Sequence, residues 1–191
     1  MMASLPAAAD IVGFVSPFAP ASFTTLNLGD VNPPPVAAPN DGFVTSLPPT
    51  SITITGGNDP SFNPLELNRC TPGFGGCEIR LTHSTSNFGI FSFHWSYASL
   101  DSAGAQIDQF GALMDGLKIN LSDPGGAANQ SGDATLHPVS SFGWFINCGD
   151  CIGGAASATL SNFLAVPEPG SLALLGLGLA GLGALRRKFS V

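Results

Sequence analysis

The sequence predicts an all-β fold, an antiparallel β-sandwich of the jelly-roll kind, followed by one C-terminal transmembrane helix. Three observations lead to this prediction. Several segments alternate apolar and polar residues, clusters of Gly, Pro, Asn and Asp separate them, and an uncharged apolar run lies near the end of the chain. Strict alternation indicates a strand that is buried on one face. About eight to ten such segments without a strong amphipathic helix favour two packed sheets.

In the first half of the chain the predicted strands are short and separated by proline-rich segments. Residues 11–15 and 23–28 alternate loosely, whereas residues 51–55 (Ser-Ile-Thr-Ile-Thr) alternate strictly. Residues 29–50 contain Pro33-Pro34-Pro35 and Pro48-Pro49, and we expect a loop or an extended segment there rather than a regular element, with a second long loop over 58–76.

The second half predicts more regular strands. Residues 103–116 predict at most a short helical turn, which two glycines weaken. Four aromatic side chains share one face of a single strand and are expected to form core rather than a sugar-stacking platform: Phe91, Phe93, Trp95 and Tyr97. The expected strands are 78–83, 90–97, 117–122, 133–137, 142–147 and 155–163.

The C-terminal segment has three parts in a fixed order. A Pro-rich break precedes the apolar run Leu172–Leu185, and three adjacent basic residues follow it. We therefore divide the chain into an ectodomain at 10–165 and a tail at 166–191, with a transmembrane helix over 171–185. The residues of the break are Val166, Pro167, Glu168, Pro169 and Gly170, and the basic residues are Arg186, Arg187 and Lys188.

The apolar run is long enough to cross a bilayer when the residues before it are included. Residues 167–185 would rise by roughly 28 Å as a helix, and the flanking basic side chains can extend toward the headgroups. Basic residues beside a span favour the cytoplasmic side, so we place residues 1–165 outside the cytoplasm. The alternative is a buried helix of a globular domain, which the adjacent basic residues disfavour.

The tail resembles the PEP-CTERM sorting signal of Gram-negative bacteria. Pro167-Glu168-Pro169, the apolar run Leu172–Leu185 and Arg186-Arg187-Lys188 carry the resemblance. It implies export, transient insertion into the inner membrane, and processing near the motif by an integral-membrane exosortase. It also implies delivery to the cell surface or the extracellular matrix, often with exopolysaccharide. Because the catalytic group belongs to the exosortase, we predict no catalytic residue and no enzymatic activity in this chain.

Export by this route normally requires an N-terminal signal peptide. Residues 1–9 have no basic residue and no adequate apolar stretch, although Ala7-Ala8-Ala9 resembles the end of one. We expect residues 1–9 to be the remnant of a signal peptide whose translation start lies upstream.

The charge of the ectodomain excludes a nucleic-acid-binding protein. Of the 13 acidic and 6 basic residues of the chain, the ectodomain holds all the acidic ones except Glu168, and its basic residues are Arg69, Arg80 and Lys118. Nucleic-acid binding needs a basic patch, and the sequence has none. We predict no cofactor.

The 4 cysteines form two pairs that are close in sequence: Cys70 with Cys77, and Cys148 with Cys151. Outside the cytoplasm we expect disulfides. The sequence allows three connectivities, and we favour 70–77 and 148–151 because both loops are short and rich in turn residues. A zinc site and a redox Cys-x-x-Cys remain less favoured alternatives, because the Cys-x6-Cys spacing does not match a zinc ribbon.

Two further groups of residues are candidate sites. The histidines His83, His94 and His137 match no ligand spacing, so we predict no metal site and expect surface or loop positions. The carboxylates Asp101, Asp108 and Asp115 lie seven residues apart and would suit glycoside hydrolysis or a calcium site, but we expect solvated loop positions.

The sequence therefore predicts an exported, non-enzymatic surface or matrix protein. The exosortase and the inner membrane are its expected partners. The alternative is a carbohydrate-binding module of the exopolysaccharide matrix.

Overall fold

The structure, a computed structural model, describes residues 9–29, 36–37, 42–57, 77–84, 88–149 and 153–167. These residues form two antiparallel sheets of six strands each. The strands of sheet A are β1 (Ile11–Val12), β4 (Phe43–Leu47), β5 (Ser51–Thr55), β7 (Phe88–Ser99), β10 (Asn129–Leu136) and β12 (Ala156–Pro167). The strands of sheet B are β2 (Thr24–Gly29), β3 (Val36–Ala37), β6 (Cys77–Ser84), β8 (Asp108–Met114), β9 (Leu117–Asn120) and β11 (Ser141–Cys148).

Sheet A is organised around β12, which pairs with β7 on one side and with β5 and β1 on the other. The order across this sheet is β10-β7-β12-β5-β4. Sheet B has the order β3-β2-β6-β11-β8-β9. The last strand of the described chain is therefore a central strand, and the segment that follows it leaves from the middle of sheet A.

One aromatic core joins the two sheets. Phe91 of β7 stacks on Phe142 of β11 with ring centroids 4.1 Å apart, and Phe163 of β12 stacks on Phe14 at 4.8 Å. The indole of Trp144 is fully buried between them. The four aromatic residues of β7 all face this core, which confirms that they form core rather than an exposed platform. The predicted antiparallel β-sandwich is thus confirmed, while its jelly-roll form stays a prediction.

Two segments contain strands that were not expected. The segment 29–50 contains β3 and β4. Residues 103–116 do include the short helical turn, as a 3-10 turn at Gly104–Gln106, but the strand β8 follows it. Strand β8 buries side chains on both faces, so it lacks the alternation that would have revealed it.

The last strand is longer than predicted and reaches into the tail. We expected it over 155–163, but β12 continues to Pro167, two residues past the proposed domain boundary. Within the described residues, no helix has the length and apolarity that crossing a bilayer requires. The expected helix over 171–185, the basic residues 186–188 and residues 1–8 lie outside the described part of the chain.

Candidate functional site

The tail begins inside sheet A. Val166 lies opposite Ile90 and Pro167 lies opposite Phe88 in the β12–β7 pair. Ala165, just before them, is fully buried and lies opposite Ile11 of β1. No linker therefore separates the folded sandwich from Pro167, and Glu168, Pro169 and Gly170 lie outside the described residues.

The outer face of sheet A is a surface of hydroxyl groups. Side chains that alternate with the buried residues of each strand point away from the core. One row of hydroxyl residues runs across all five strands of the main path, and Thr53 and Thr159 form a hydrogen bond within it, with Oγ1 atoms 2.9 Å apart. In sheet order this row consists of Thr45, Thr53, Thr159, Ser96 and Ser131.

A groove of about 460 Å³ opens beside this row. It spans β10, β7 and β12 in the half of sheet A that lies away from Pro167, since its lining residues Ser157 and Asn129 are paired with Ala98 close to the end of β7. The lining side chains on the outer face carry four hydroxyl groups, the Asn129 amide and the Ala98 methyl group, and no charge. The Tyr97 side chain faces the core, and the Gln130 amide is bonded to the backbone of Asp123 and Ala127. The lining residues are Ser96, Tyr97, Ala98, Asn129, Gln130, Ser131, Ser157 and Thr159.

A solvent-exposed histidine–carboxylate pair lies next along the same face. His94 Nδ1 lies 2.8 Å from Asp133 Oδ1 in the register pair that follows Ser96 and Ser131. The Asp133 side chain is 86% exposed, so the pair contributes little to stability. His94 thus occupies a surface position, as expected.

Asp101 and Asp108 are buried, contrary to the expectation of solvated loop positions. Ser99 lies between them: its hydroxyl donates to Asp108 Oδ2 at 3.0 Å and accepts from the Asp101 backbone N–H at 3.1 Å. Asp101 Oδ1 accepts from the N–H of Ala103 at 2.6 Å. A buried carboxylate needs hydrogen-bond donors, and the turn from β7 into β8 provides them. The same bonds therefore hold this turn in one conformation.

The phenol of Tyr97 contacts the group formed by Ser99, Asp101 and Asp108 from the side of the core. Its hydroxyl donates to the carbonyl oxygen of Asp108 at 2.5 Å. Burial raises the pKa of Tyr97 to about 12, and the charges of Asp108 and Asp101 act in the same direction, while the hydrogen bond with Ser99 opposes them. The phenol thus stays protonated and holds β7 against the start of β8.

Asp115 lies apart from the other two aspartates and anchors a loop. With Gly116 it forms the β8–β9 turn, where both residues have positive φ (51° and 83°). Its carboxylate accepts the backbone N–H groups of Val139, Ser140 and Ser141 and the Ser140 hydroxyl, at 2.7 to 3.1 Å. These backbone hydrogen bonds hold the pKa of Asp115 well below its usual range. The seven-residue spacing therefore does not assemble one site of three carboxylates.

The other histidines lie in separate places. The imidazole of His83 on β6 packs between Phe18 and Phe23, with ring centroids 5.1 Å away from each, and its Nε2 lies 3.2 Å from the Pro17 carbonyl oxygen. His137 is exposed in the loop after β10. Among the residues that the structure describes, no three His, Cys, Asp or Glu side chains come together as a metal site would require.

Cys77 and Cys148 meet at one end of sheet B. They lie opposite each other in the β6–β11 pair, and both are buried. Neither is a free thiol. Cys70 and Cys151 lie outside the described residues, so the pairing 70–77 and 148–151 stays a prediction.

A buried carboxylate on the outer face of sheet B was not predicted from the sequence. Glu78 is fully buried and binds both Arg80 Nε and Lys118 Nζ. The Lys118 ammonium also lies 4.9 Å from the ring centroid of Phe145, a cation–π contact. Glu78 and Arg80 lie two residues apart and therefore share one face of the strand, so their contact could be predicted from the sequence. The contact of Glu78 with Lys118 could not.

Comparison with known families identifies the tail. Residues 165–188 match the PEP-CTERM protein-sorting motif. The PEP-CTERM motif begins at Ala165, which lies within β12, and includes the Pro-Glu-Pro residues, the apolar run and the basic residues. The predicted resemblance of the tail is confirmed, and the ectodomain is not assigned to a family.

The sandwich is similar to solved domains at low sequence identity. The K1 adhesin domain of Lys-gingipain from Porphyromonas gingivalis W83 is 11% identical, with 84% of this chain and 99% of that chain covered and a TM-score of 0.42. The carbohydrate-binding module TmCBM27, described as recognising mannan, is 10% identical, with 85% and 98% covered and a TM-score of 0.40. The N-terminal cellulose-binding domain of a Cellulomonas fimi β-1,4-glucanase is 8% identical, with 77% and 95% covered and a TM-score of 0.37. Comparison with curated proteins finds no match.

Proposed function

We propose that this chain is an exported cell-surface or extracellular-matrix protein of a Gram-negative bacterium, sorted and processed by an exosortase. The match of residues 165–188 to the PEP-CTERM motif carries the proposal. The ectodomain has a non-enzymatic, structural role, and its cysteines are oxidised outside the cytoplasm.

The tail works in two steps in this proposal. Residues 171–185 insert into the inner membrane as a transmembrane helix, and Arg186, Arg187 and Lys188 hold the C-terminus on the cytoplasmic side. The Pro-Glu-Pro residues then present an extended backbone to the exosortase, because proline disfavours helix in the residue before it.

Alanine substitution of the motif tests the sorting step. The triple variant Pro167→Ala, Glu168→Ala, Pro169→Ala should insert into the membrane but accumulate at full-length mass. A matched control replaces Pro33, Pro34 and Pro35 by alanine, which removes prolines from the ectodomain and should leave maturation intact. Normal maturation of the motif variant would contradict the role given to Pro-Glu-Pro.

Neutral substitution of the basic residues tests the orientation. Changing Arg186, Arg187 and Lys188 to glutamine keeps the length of the tail but removes the charges that hold the C-terminus inside. A C-terminal epitope should then become accessible to protease added outside the inner membrane. Unchanged protection of the epitope would show that these charges do not set the orientation.

A second candidate function is binding of a neutral polysaccharide of the matrix. The observation that favours it is the groove on sheet A, which is open and uncharged and presents the hydroxyl groups of Ser96, Ser131, Ser157 and Thr159 and the amide of Asn129. Such groups can donate and accept hydrogen bonds with sugar hydroxyls, and an uncharged lining suits a ligand that carries no charge.

A charge placed in the groove tests this second function. Ser131→Glu puts a carboxylate among the lining residues, whereas Thr135→Glu puts the same group on the same outer face of β10, four residues nearer the tail. Affinity electrophoresis in cell-surface polysaccharide should show about tenfold weaker binding for Ser131→Glu, because a bound sugar would desolvate the new carboxylate and lose the hydroxyl of Ser131, and no change for Thr135→Glu. Lack of binding by the unaltered chain to any polysaccharide would remove this function and leave the sorting proposal untouched.

A further inference from the structure

The way β12 ends restricts how far the sandwich can be from the membrane. Strand pairing holds the chain up to Pro167, and the proposed transmembrane helix begins at Ser171. Four residues span at most about 14 Å when fully extended. The headgroup region on each side of the apolar layer is itself roughly 5–8 Å thick. The end of the sandwich at which β12 finishes, here called the tail end, must therefore lie at or near the headgroups.

Exposed apolar side chains gather at this tail end. Ile90 lies opposite Val166, and Val12 lies opposite Leu164, three residues before Pro167. Leu117 starts β9 at the level of Phe142, which stacks on Phe91 near the end of sheet A. Val139 is in the loop that crosses from β10 in sheet A to β11 in sheet B, over the same end.

These side chains are held in place although they face solvent. Val139 is 84% exposed and Leu117 is 69% exposed. The Val139 backbone N–H is bonded to the Asp115 carboxylate at 2.9 Å, and Asp115 lies two residues before Leu117. Exposure of an apolar side chain to water is unfavourable. Contact with another apolar surface, such as lipid or protein, removes this cost.

The charges at the tail end do not provide another attraction. Asp115 and Asp10 are acidic, and the Asp115 carboxylate is occupied by backbone amides. Lys118, which follows Leu117, directs its ammonium to the buried Glu78. The imidazole of His137 is exposed in the loop that carries Val139. No lysine or arginine of the described residues here extends toward the headgroups, so contact with lipid would depend mainly on apolar side chains.

We propose that Val12, Ile90, Leu117 and Val139 form a membrane-facing surface that enters the headgroup region while the tail is inserted. This inference rests on the proposed membrane anchoring of the tail. The patch is small and would bind a bilayer weakly by itself, but a tether of four residues gives it a high effective concentration at the bilayer. The groove lies in the other half of sheet A and stays accessible to a polymer on the far side.

Tryptophan reporters in the full-length chain test the surface. Val139→Trp places an indole at the tail end, and Leu100→Trp is the matched control at the opposite end, with a similar native exposure of 79%. Both variants are reconstituted into nanodiscs of phosphatidylcholine with and without brominated acyl chains. The native Trp95 and Trp144 are buried and supply a constant background. Leu117→Trp serves as a second reporter beside the Asp115 turn.

The expected result is loss of the extra emission in brominated discs for Val139→Trp and Leu117→Trp, but not for Leu100→Trp. Equal emission of all three variants in both kinds of disc would overturn the membrane-facing surface. A blue shift that depends on the number of chains per disc, and not on bromine, would also overturn it, because a second copy would then cover the patch. Failure of the chain to co-elute with the discs would instead contradict the proposed anchoring.

Discussion

Pro167, the first residue of the Pro-Glu-Pro motif, lies opposite Phe88 in a central strand pair of sheet A. The folded domain and the sorting signal thus share β12. Any change that loosens the end of this strand acts on both, because the motif has no linker to isolate it from the sandwich.

Phe163 is the core side chain that best tests the packing behind this strand end. Its ring contacts Phe14, Phe18 and Phe142 with centroid distances of 4.8 to 6.0 Å, and it is fully buried. Phe163→Ala should lower the free energy of unfolding by about 3–5 kcal/mol, measured by urea denaturation. Leu100→Ala, at an exposed site, should change it by less than about 0.5 kcal/mol. Equal effects of the two changes would contradict the described core.

The carboxylate of Asp115 should make stability depend on pH in the acidic range. Because backbone hydrogen bonds lower its pKa in the folded chain, its contribution is present above the ordinary value of 3.8 and is lost as the pH falls below it. Asp115→Asn, which tolerates the positive φ, should lower the melting temperature at neutral pH. The difference from the unaltered chain should shrink in acid, as followed by circular dichroism.

The control for Asp115 is Asp133→Asn, which removes a carboxylate that is exposed and bonded to His94. An exposed pair contributes little, so this variant should melt close to the unaltered chain at neutral pH. A constant difference between Asp115→Asn and the unaltered chain at every pH would contradict the role assigned to the charge.

Tyr97 offers a direct optical test, because it is the only one of the 191 residues that is a tyrosine. Since burial raises its pKa to about 12 from the ordinary value of 10.0, the folded chain should show no phenolate absorbance until the pH exceeds that ordinary value. The group's contribution to stability is present below pH 10.0 and is lost as the pH rises through about 12. The urea-unfolded chain, titrated as the control, should ionise near the ordinary value. Coincident titrations would show that the phenol is not buried.

The cysteine pairing can be read from peptide mapping without reduction. We expect one peptide linking Cys70 with Cys77 and another linking Cys148 with Cys151, because short loops close most easily. The facing positions of Cys77 and Cys148 also bring their Cα atoms within disulfide range. A Cys77–Cys148 peptide, or four free thiols in exported protein, would contradict the expected pairing.

The parts of the fold that were predictable are those whose pattern is local. Strand β5 was predicted with its observed bounds, because Ile52 and Ile54 alternate with hydroxyl residues. Strand β8 was missed because its side chains are buried on both faces, and Gly111 within it looks like a helix or strand breaker. Yet a Cβ at Gly111 would lie 2.6 Å from the Phe145 ring, so the glycine makes room for an aromatic ring from the neighbouring strand.

The candidate sites follow the same rule: local features could be predicted from the sequence, and features that depend on long-range contacts could not. The tail motif was recognisable because its three parts are contiguous, and the structure adds that its first residues are paired in β12. The groove and the Glu78 cluster were not predictable, because they depend on strand neighbours far apart in sequence, such as Ser131 with Ser96 and Lys118 with Glu78. The Asp115–Gly116 turn did carry a local signal, since Asp-Gly between apolar residues is typical of a tight hairpin.

The most direct test of the central claim is to fractionate cells with and without the exosortase and to measure the mass of this chain in each fraction. With the enzyme, the account predicts a shortened chain that lacks the apolar run and lies at the cell surface or in the matrix. Without the enzyme, the full-length chain should remain in the inner membrane. An uncut chain dissolved in the cytosol, with all 4 cysteines reduced, would contradict the account.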